Sequence, residues 1–256
     1  MAYVARLAGA GVICLYALTT PIQAATPIGK IFAKSGSPNA TGPGGSRSLN
    51  QGSPIYEDDR VQTGNGNVQI IFIDDTKLVV GPNSTLVIDR FLMRGGNKAR
   101  KFSIDALRGT FRFISGNSAK NAYDIKTANA TIGIRGTGFD FSSGRATLVA
   151  VHVGRVKLCA YGNCETVDDR CGVGRAAGRD VEELGGRAKG SAIRSLPYIL
   201  NQAPLARPFR LNTSSCRSVA SLFQNFFGGG TQGTDRDRER TPPTSTRTRD
   251  GGGYGE

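Results

Sequence analysis

The chain has 256 residues, a formal net charge of +13 at pH 7, 38% hydrophobic residues, no tryptophan and one histidine. That length accommodates one β-domain with appendages or two small domains, with apolar residues enough for a sizeable core. A single histidine leaves little room for histidine-rich metal or acid/base chemistry.

Residues 1–6 carry one positive charge, residues 7–18 are almost wholly apolar, and residues 19–25 end in small side chains after Thr19, Thr20 and Pro21. This is the layout of a secretory signal peptide, and the apolar run is shorter than the roughly 20 residues a retained membrane helix needs. Cleavage is expected after Ala24 or Ala25, giving a mature chain of about 230 residues that is periplasmic or secreted, with no transmembrane anchor after processing. A lipid anchor at Cys14 is disfavoured, because bulky Ile13 stands where a small residue normally precedes a lipidated cysteine.

Residues 25–53 are rich in Gly, Pro, Ser and Asn around one strand-like piece, Ile28-Gly-Lys-Ile-Phe-Ala33, and read as an opening strand followed by a long loop. Period-two apolar bursts follow: Val68-Gln-Ile-Ile-Phe-Ile73, Lys77-Leu-Val-Val80, Thr85-Leu-Val-Ile-Asp-Arg-Phe91, Lys101-Phe-Ser-Ile-Asp105 and Thr110-Phe-Arg-Phe-Ile114. Tyr123-Asp-Ile-Lys-Thr127, Thr147-Leu-Val-Ala-Val-His-Val153 and Arg155-Val-Lys-Leu-Cys159 continue the pattern, and each predicts a strand. Between them Gly64, Asp74-Asp75, Gly81-Pro-Asn83, Gly95-Gly96, Arg108-Gly109, Ser115-Gly116, Ser143-Gly144 and Gly154 read as turns, since Gly, Asn and Asp accept positive φ. Turns at intervals of roughly 8–12 residues predict an all-β sandwich or solenoid-like domain over residues 25–185.

The basic charge concentrates in this folded part. Arg90, Arg94, Lys98, Arg100, Lys101, Arg108, Arg112, Lys120 and Lys126 face only Asp105 and Asp124 in the same stretch, whereas residues 229–256 balance five arginines with five acids. In an exported protein such a surface is either simply solvated or turned toward anionic envelope polymers; nucleic acid is not the expected partner.

Thr131-Ile-Gly-Ile-Arg-Gly-Thr-Gly-Phe-Asp-Phe141 superficially resembles a phosphate-cradling loop, but strand follows it where a nucleotide loop would open a helix. Gly136 and Gly138 are therefore read as a framework bend, with Ile132, Ile134, Phe139 and Phe141 packing around it. Arg135 is read first as a structural clamp bonded to a carboxylate or carbonyls, and second as a ligand-facing guanidinium.

Without Cys14, four cysteines remain: Cys159, Cys164, Cys171 and Cys216. Their spacing lacks a Cys-x-x-Cys zinc knuckle, so disulfides are expected, with no metal and no other cofactor. A four-residue loop containing Gly162-Asn163 would set Cys159 opposite Cys164, leaving Cys171 to pair with Cys216. His152 lies in an apolar strand pattern and the paired carboxylates sit in turns, so no catalytic residues and no enzyme activity are expected. Helical spacing predicts short helices over residues 186–228, and residues 229–256 have the composition of a disordered tail.

The motifs Gly52-Ser-Pro-Ile-Tyr-Glu-Asp-Asp-Arg-Val-Gln-Thr-Gly64, Ile73-Asp-Asp-Thr76, Gly81-Pro-Asn-Ser-Thr-Leu-Val-Ile-Asp89, Ile134-Arg-Gly-Thr-Gly-Phe139 and Val153-Gly-Arg-Val156 occur in succession. In order and spacing they resemble the FecR domain, with a family core of about 52–158. The resemblance marks Gly64, Asp75, Thr76, Arg135, Gly136, Thr137, Phe139 and Gly154 as structural motif residues, and Asp75 stands where the family pattern has glycine. It implies an all-β extracytoplasmic domain without catalytic residues, best known in membrane-bound regulators that relay iron-siderophore uptake to a sigma factor. The expected role is an interaction or scaffold module of the bacterial cell envelope whose partner is an envelope protein or an anionic polymer. The alternatives are a detached relay component or a binder of anionic glycan.

Overall fold

The computed structural model describes residues 25–227 apart from 44, 97, 169 and 170. The expected signal segment and tail lie outside the described residues.

Fifteen strands form one sheet: β1 (Gly29–Lys34), β2 (Asn39–Gly42), β3 (Gly45–Ser48), β4 (Pro54–Ile55), β5 (Arg60–Gln62), β6 (Val68–Phe72), β7 (Lys77–Val80), β8 (Thr85–Gly95), β9 (Lys98–Ile114), β10 (Tyr123–Thr127), β11 (Thr131–Ser143), β12 (Thr147–Ala160), β13 (Asn163–Asp168), β14 (Val173–Ala177) and β15 (Asp180–Glu183). The main path runs β15-β14-β12-β11-β10-β9-β7-β6-β1-β4, with β8, β5, β2 and β3 branching from β9 and β13 from β12. Pairing is antiparallel except for β9 with β10. The sheet folds over on itself. Neighbouring strands lie about 4.8 Å apart, so β6 and β8, three steps apart along the sheet, would be roughly 14 Å apart if it were flat; yet the rings of Phe72 and Phe91 lie 6.0 Å apart. Phe102, Phe113, Tyr123, Phe139, Phe111 and Phe141 complete this buried aromatic core.

Several glycines expected to reverse the chain instead bend long strands. Gly109 (φ 112°) lies inside β9 and Gly154 (φ 80°) inside β12, so four expected strands merge into two. A positive φ at one residue shifts register and twists a strand without ending it, because the ladder resumes on either side. The expected long loop after the opening strand is likewise corrected: residues 39–48 hold the β2–β3 hairpin, whose apolar content is too low to show an alternating pattern.

Strand alternation divides the buried residues between two faces. On β12, Val149 and Val151 enter the aromatic core, whereas Leu148 and Ala150 face the opposite side. That second face is covered by α1 (Gly186–Ser195), α2 (Pro197–Leu200) and α3 (Ser214–Phe227), which pack Ile193, Leu196, Ile199 and Cys216 against Ala150, Cys171 and Val173. Two disulfides tie the structure: Cys159–Cys164 across the β12–β13 hairpin, and Cys171–Cys216 from the start of β14 to α3. The hairpin turn is tighter than the four residues expected. Ala160 pairs with Asn163, and only Tyr161 (φ 49°) and Gly162 (φ 88°) make the turn, both with the positive φ of the primed two-residue turns that match strand twist. Among the described residues no helix is long and apolar enough to cross a membrane.

Candidate functional site

The motif residues converge on a corner where β11 and β12 kink together. Their register slips between Arg135 and Gly138, with Gly136 at φ 66° and Gly154 at φ 80°. A Cβ on Gly154 would stand 2.1 Å from the Gly136 carbonyl oxygen, so the approach of the two backbones requires glycine there. Thr137 is pinned at the bend: its N–H donates to Ser115 Oγ (3.1 Å) and its carbonyl accepts from the Ser115 N–H (2.9 Å). The next turn is locked in sequence. Asp74 accepts from the Thr76 N–H (3.1 Å), Ser118 Oγ (2.6 Å) and the Tyr123 hydroxyl (3.0 Å), while its carbonyl accepts from the Asn117 N–H (2.8 Å). Burial, aided by the nearby Asp74 charge and opposed by the Thr76 hydrogen bond, pushes the Tyr123 phenol up. Asp75 adopts φ 64°, the conformation that suits the family's glycine, and aspartate tolerates it better than most residues.

Gly136, Thr137, Gly154 and Arg135 thus come together, and the Asp75-Thr76 turn joins them through residues 115–118. Gly64 does not: its carbonyl accepts from the Asn83 N–H (2.7 Å) in a separate turn. Phe139 belongs to the aromatic core.

Arg135 corrects the clamp expectation. It is exposed and has no hydrogen-bond or ion-pair partner among the described residues. Its register partner across the sheet is Arg155, a like charge. Lys120 reaches over Gly136, its Cε 3.0 Å from where a Cβ there would stand. Arg155 is bonded to Asp168, both side chains 57% exposed. Lys120, Arg135, Gly154, Arg155 and Asp168 line one shallow concavity.

A second constellation was missed by reading residues singly. Arg112, expected on the basic surface, is fully buried. Its Nε and Nη2 donate to Asp140 Oδ1 (2.6 Å) and Oδ2 (2.7 Å), Nη2 also to the Tyr198 carbonyl (2.8 Å), and Nη1 to Gln202 Oε1 and the Phe209 carbonyl (3.4 Å). All five N–H donors of the guanidinium are used. The signal was available: Phe111-Arg-Phe113 on β9 and Phe139-Asp-Phe141 on β11 pair residue for residue, with opposite charges between matching phenylalanines. Burial alone would raise the Asp140 carboxyl, but the hydrogen bonds and charge of Arg112, then of His152, outweigh it and hold it below the usual value.

His152 Nε2 lies 3.0 Å from Asp140 Oδ2, and Nδ1 lies 3.7 Å from Cys216 Sγ. In outline this is a carboxylate–imidazole–sulfur relay, but the sulfur is bonded to Cys171 and both cysteines are buried, so it presents no free nucleophile. Among the described residues no cluster of His, Cys, Asp or Glu has the arrangement to hold a metal.

Residues 59–157 match the family model described as FecR protein. No curated protein matches the chain. Two crystal structures of candidate anti-sigma factors from Parabacteroides distasonis ATCC 8503 are similar in part. One, at 2.50 Å resolution, shares 12% identity with a TM-score of 0.40, covering 48% of this chain and 56% of that one. The other, at 1.65 Å, shares 11% identity with a TM-score of 0.39, covering 65% and 90%. The chain therefore spans little more than half the length of the first.

Proposed function

We propose that this chain, whose residues 59–157 match the FecR family model, is an exported, non-catalytic interaction module of the bacterial cell envelope, in the broad class of envelope signalling proteins. The family match carries the proposal. Two features support it. Four of the five cysteines are joined in two disulfides, which persist in oxidising compartments. The buried carboxylates Asp59, Asp74 and Asp140 and the buried imidazole of His152 are engaged with neighbouring protein groups. Among the cations without a partner in the described residues, Arg135 and Lys120 share one concavity at the β11–β12 corner.

The relay and glycan readings differ in the partner they require. The corner favours an anionic one, since Arg135 stands opposite Arg155, whose own charge is met by Asp168, and has no counter-ion of its own. The test is crosslinking in intact cells from a photoreactive residue at Val153, which is 53% exposed beside the corner. Capture of one envelope protein or polymer, from protein recovered in the osmotic-shock fraction without residues 1–24, supports the reading. Recovery in the cytosol with the leader intact overturns it.

A further inference from the structure

We propose that the concavity between Lys120, Arg135 and Arg155 is an oxyanion site for a single doubly charged phosphate group, either free phosphate or a phosphate monoester on a larger molecule. This deepens the interaction reading above and rests on it for its biological setting. Three cations and one carboxylate line the concavity, leaving it two positive charges in excess. Cross-strand partners have Cβ atoms about 5 Å apart, a spacing that lets two guanidinium forks approach one tetrahedral anion from either side. Arg155 is oriented by Asp168. Arg135 and Lys120 have no partners among the described residues, so their donors are available without breaking an internal bond.

Thr137 is 3% exposed, yet its Oγ1 has no hydrogen-bond partner. A buried hydroxyl left unpaired carries a desolvation penalty, but the Thr137 atom beside the floor is its methyl, Cγ2, 3.0 Å from where a Gly154 Cβ would stand, so the site is carried by its charges. The floor at Gly154 has no side chain and can acquire none, because a Cβ there meets the Gly136 oxygen at 2.1 Å. Two other basic groups of the sheet contrast with this corner. Lys101 lies against Asp124 (3.3 Å), and Lys126 between Asp89 (3.6 Å) and Asp105 (3.8 Å), so their charge is already met.

The test is an NMR titration of the disulfide-intact full chain with inorganic phosphate at low salt, followed by a phosphorylated hexose. The expected result is saturable shifts confined to residues 133–137, 153–157 and 120, weakening as sodium chloride is added. Arg135→Gln should weaken binding about tenfold, the equivalent of one charge-assisted bond, with no fall in melting temperature. Arg108→Gln, which removes an exposed cation elsewhere, should leave binding unchanged. Tighter binding of the hexose phosphate identifies the source as a phosphorylated molecule; equal binding identifies free phosphate. The proposal is overturned if Arg135→Gln binds as the wild type does, if Arg108→Gln loses as much, or if the shifts spread over every basic face. Such a failure removes the ligand class and leaves export and partner capture to be judged by the crosslinking experiment.

Discussion

Arg112 on β9 and Arg135 on β11 are opposite solutions to placing a guanidinium on one sheet. Arg112 is buried with every donor used, and its acceptors come from β11, α2 and the segment leading to α3. It joins the sheet to the helical layer. Arg135 is exposed, faces a like charge and bonds to nothing described. The first arrangement is what stability requires of a buried ion, since removing one partner strands the other in low dielectric. The second contributes nothing evident to folding. The difference between them separates the cations that build this domain from those available for binding.

Breaking the buried side should have the largest effect. Arg112→Met leaves Asp140 buried and unpaired except for His152, and should cost roughly 3–5 kcal/mol, read as a drop of ~6 °C or more in melting temperature. Opening Cys171–Cys216 by paired serine substitution should cost about 4 kcal/mol in the chain-entropy account, since its 45-residue separation exceeds the five residues of Cys159–Cys164, for which the same account gives about 2 kcal/mol. Denaturant titration of the two paired variants should show that order.

The corner glycines sharpen the comparison further. Gly154→Ala forces a Cβ into the Gly136 backbone and should cost about 2–3 kcal/mol. Gly136→Ala meets only the flexible Lys120 stem and should cost about 1–2 kcal/mol for the left-handed conformation alone. A larger loss at Gly136 than at Gly154 would contradict this account of the bend.

A pH dependence follows from Asp140. Its folded carboxyl is held below its ordinary value of 3.8, so its contribution is present above that pH and is lost as pH falls through the lowered folded value. Stability measured from pH 5 downward should therefore fall less steeply in Asp140→Asn than in the wild type, although the variant is weaker at neutral pH.

Much of the framework was legible because strands such as Val68–Phe72 and Lys77–Val80 carry alternating or continuous apolar residues bounded by turn formers. Glycine was the ambiguous sign. Gly109 and Gly154 have the residue type of a turn but occupy a bend in a continuous ladder, and only the partner strand distinguishes the two. The β2–β3 hairpin was hidden by composition, its strands being Asn-Ala-Thr-Gly and Gly-Ser-Arg-Ser. The Arg112 junction was hidden by distance, its partners lying 28 to 97 residues away. The surroundings of Arg135 were hidden too, because a carboxylate or carbonyl partner cannot be told from a like charge until register sets it opposite Arg155.

The most direct measurement is thermal unfolding of Arg112→Gln and Arg135→Gln side by side with the wild type, at neutral pH and low salt. The account predicts that Arg112→Gln melts ~6 °C or more below the wild type, whereas Arg135→Gln melts within about 1 °C of it or slightly above, since a like-charge pair has been relieved. A fall in Arg135→Gln comparable to that of Arg112→Gln would contradict it and return the corner to the framework.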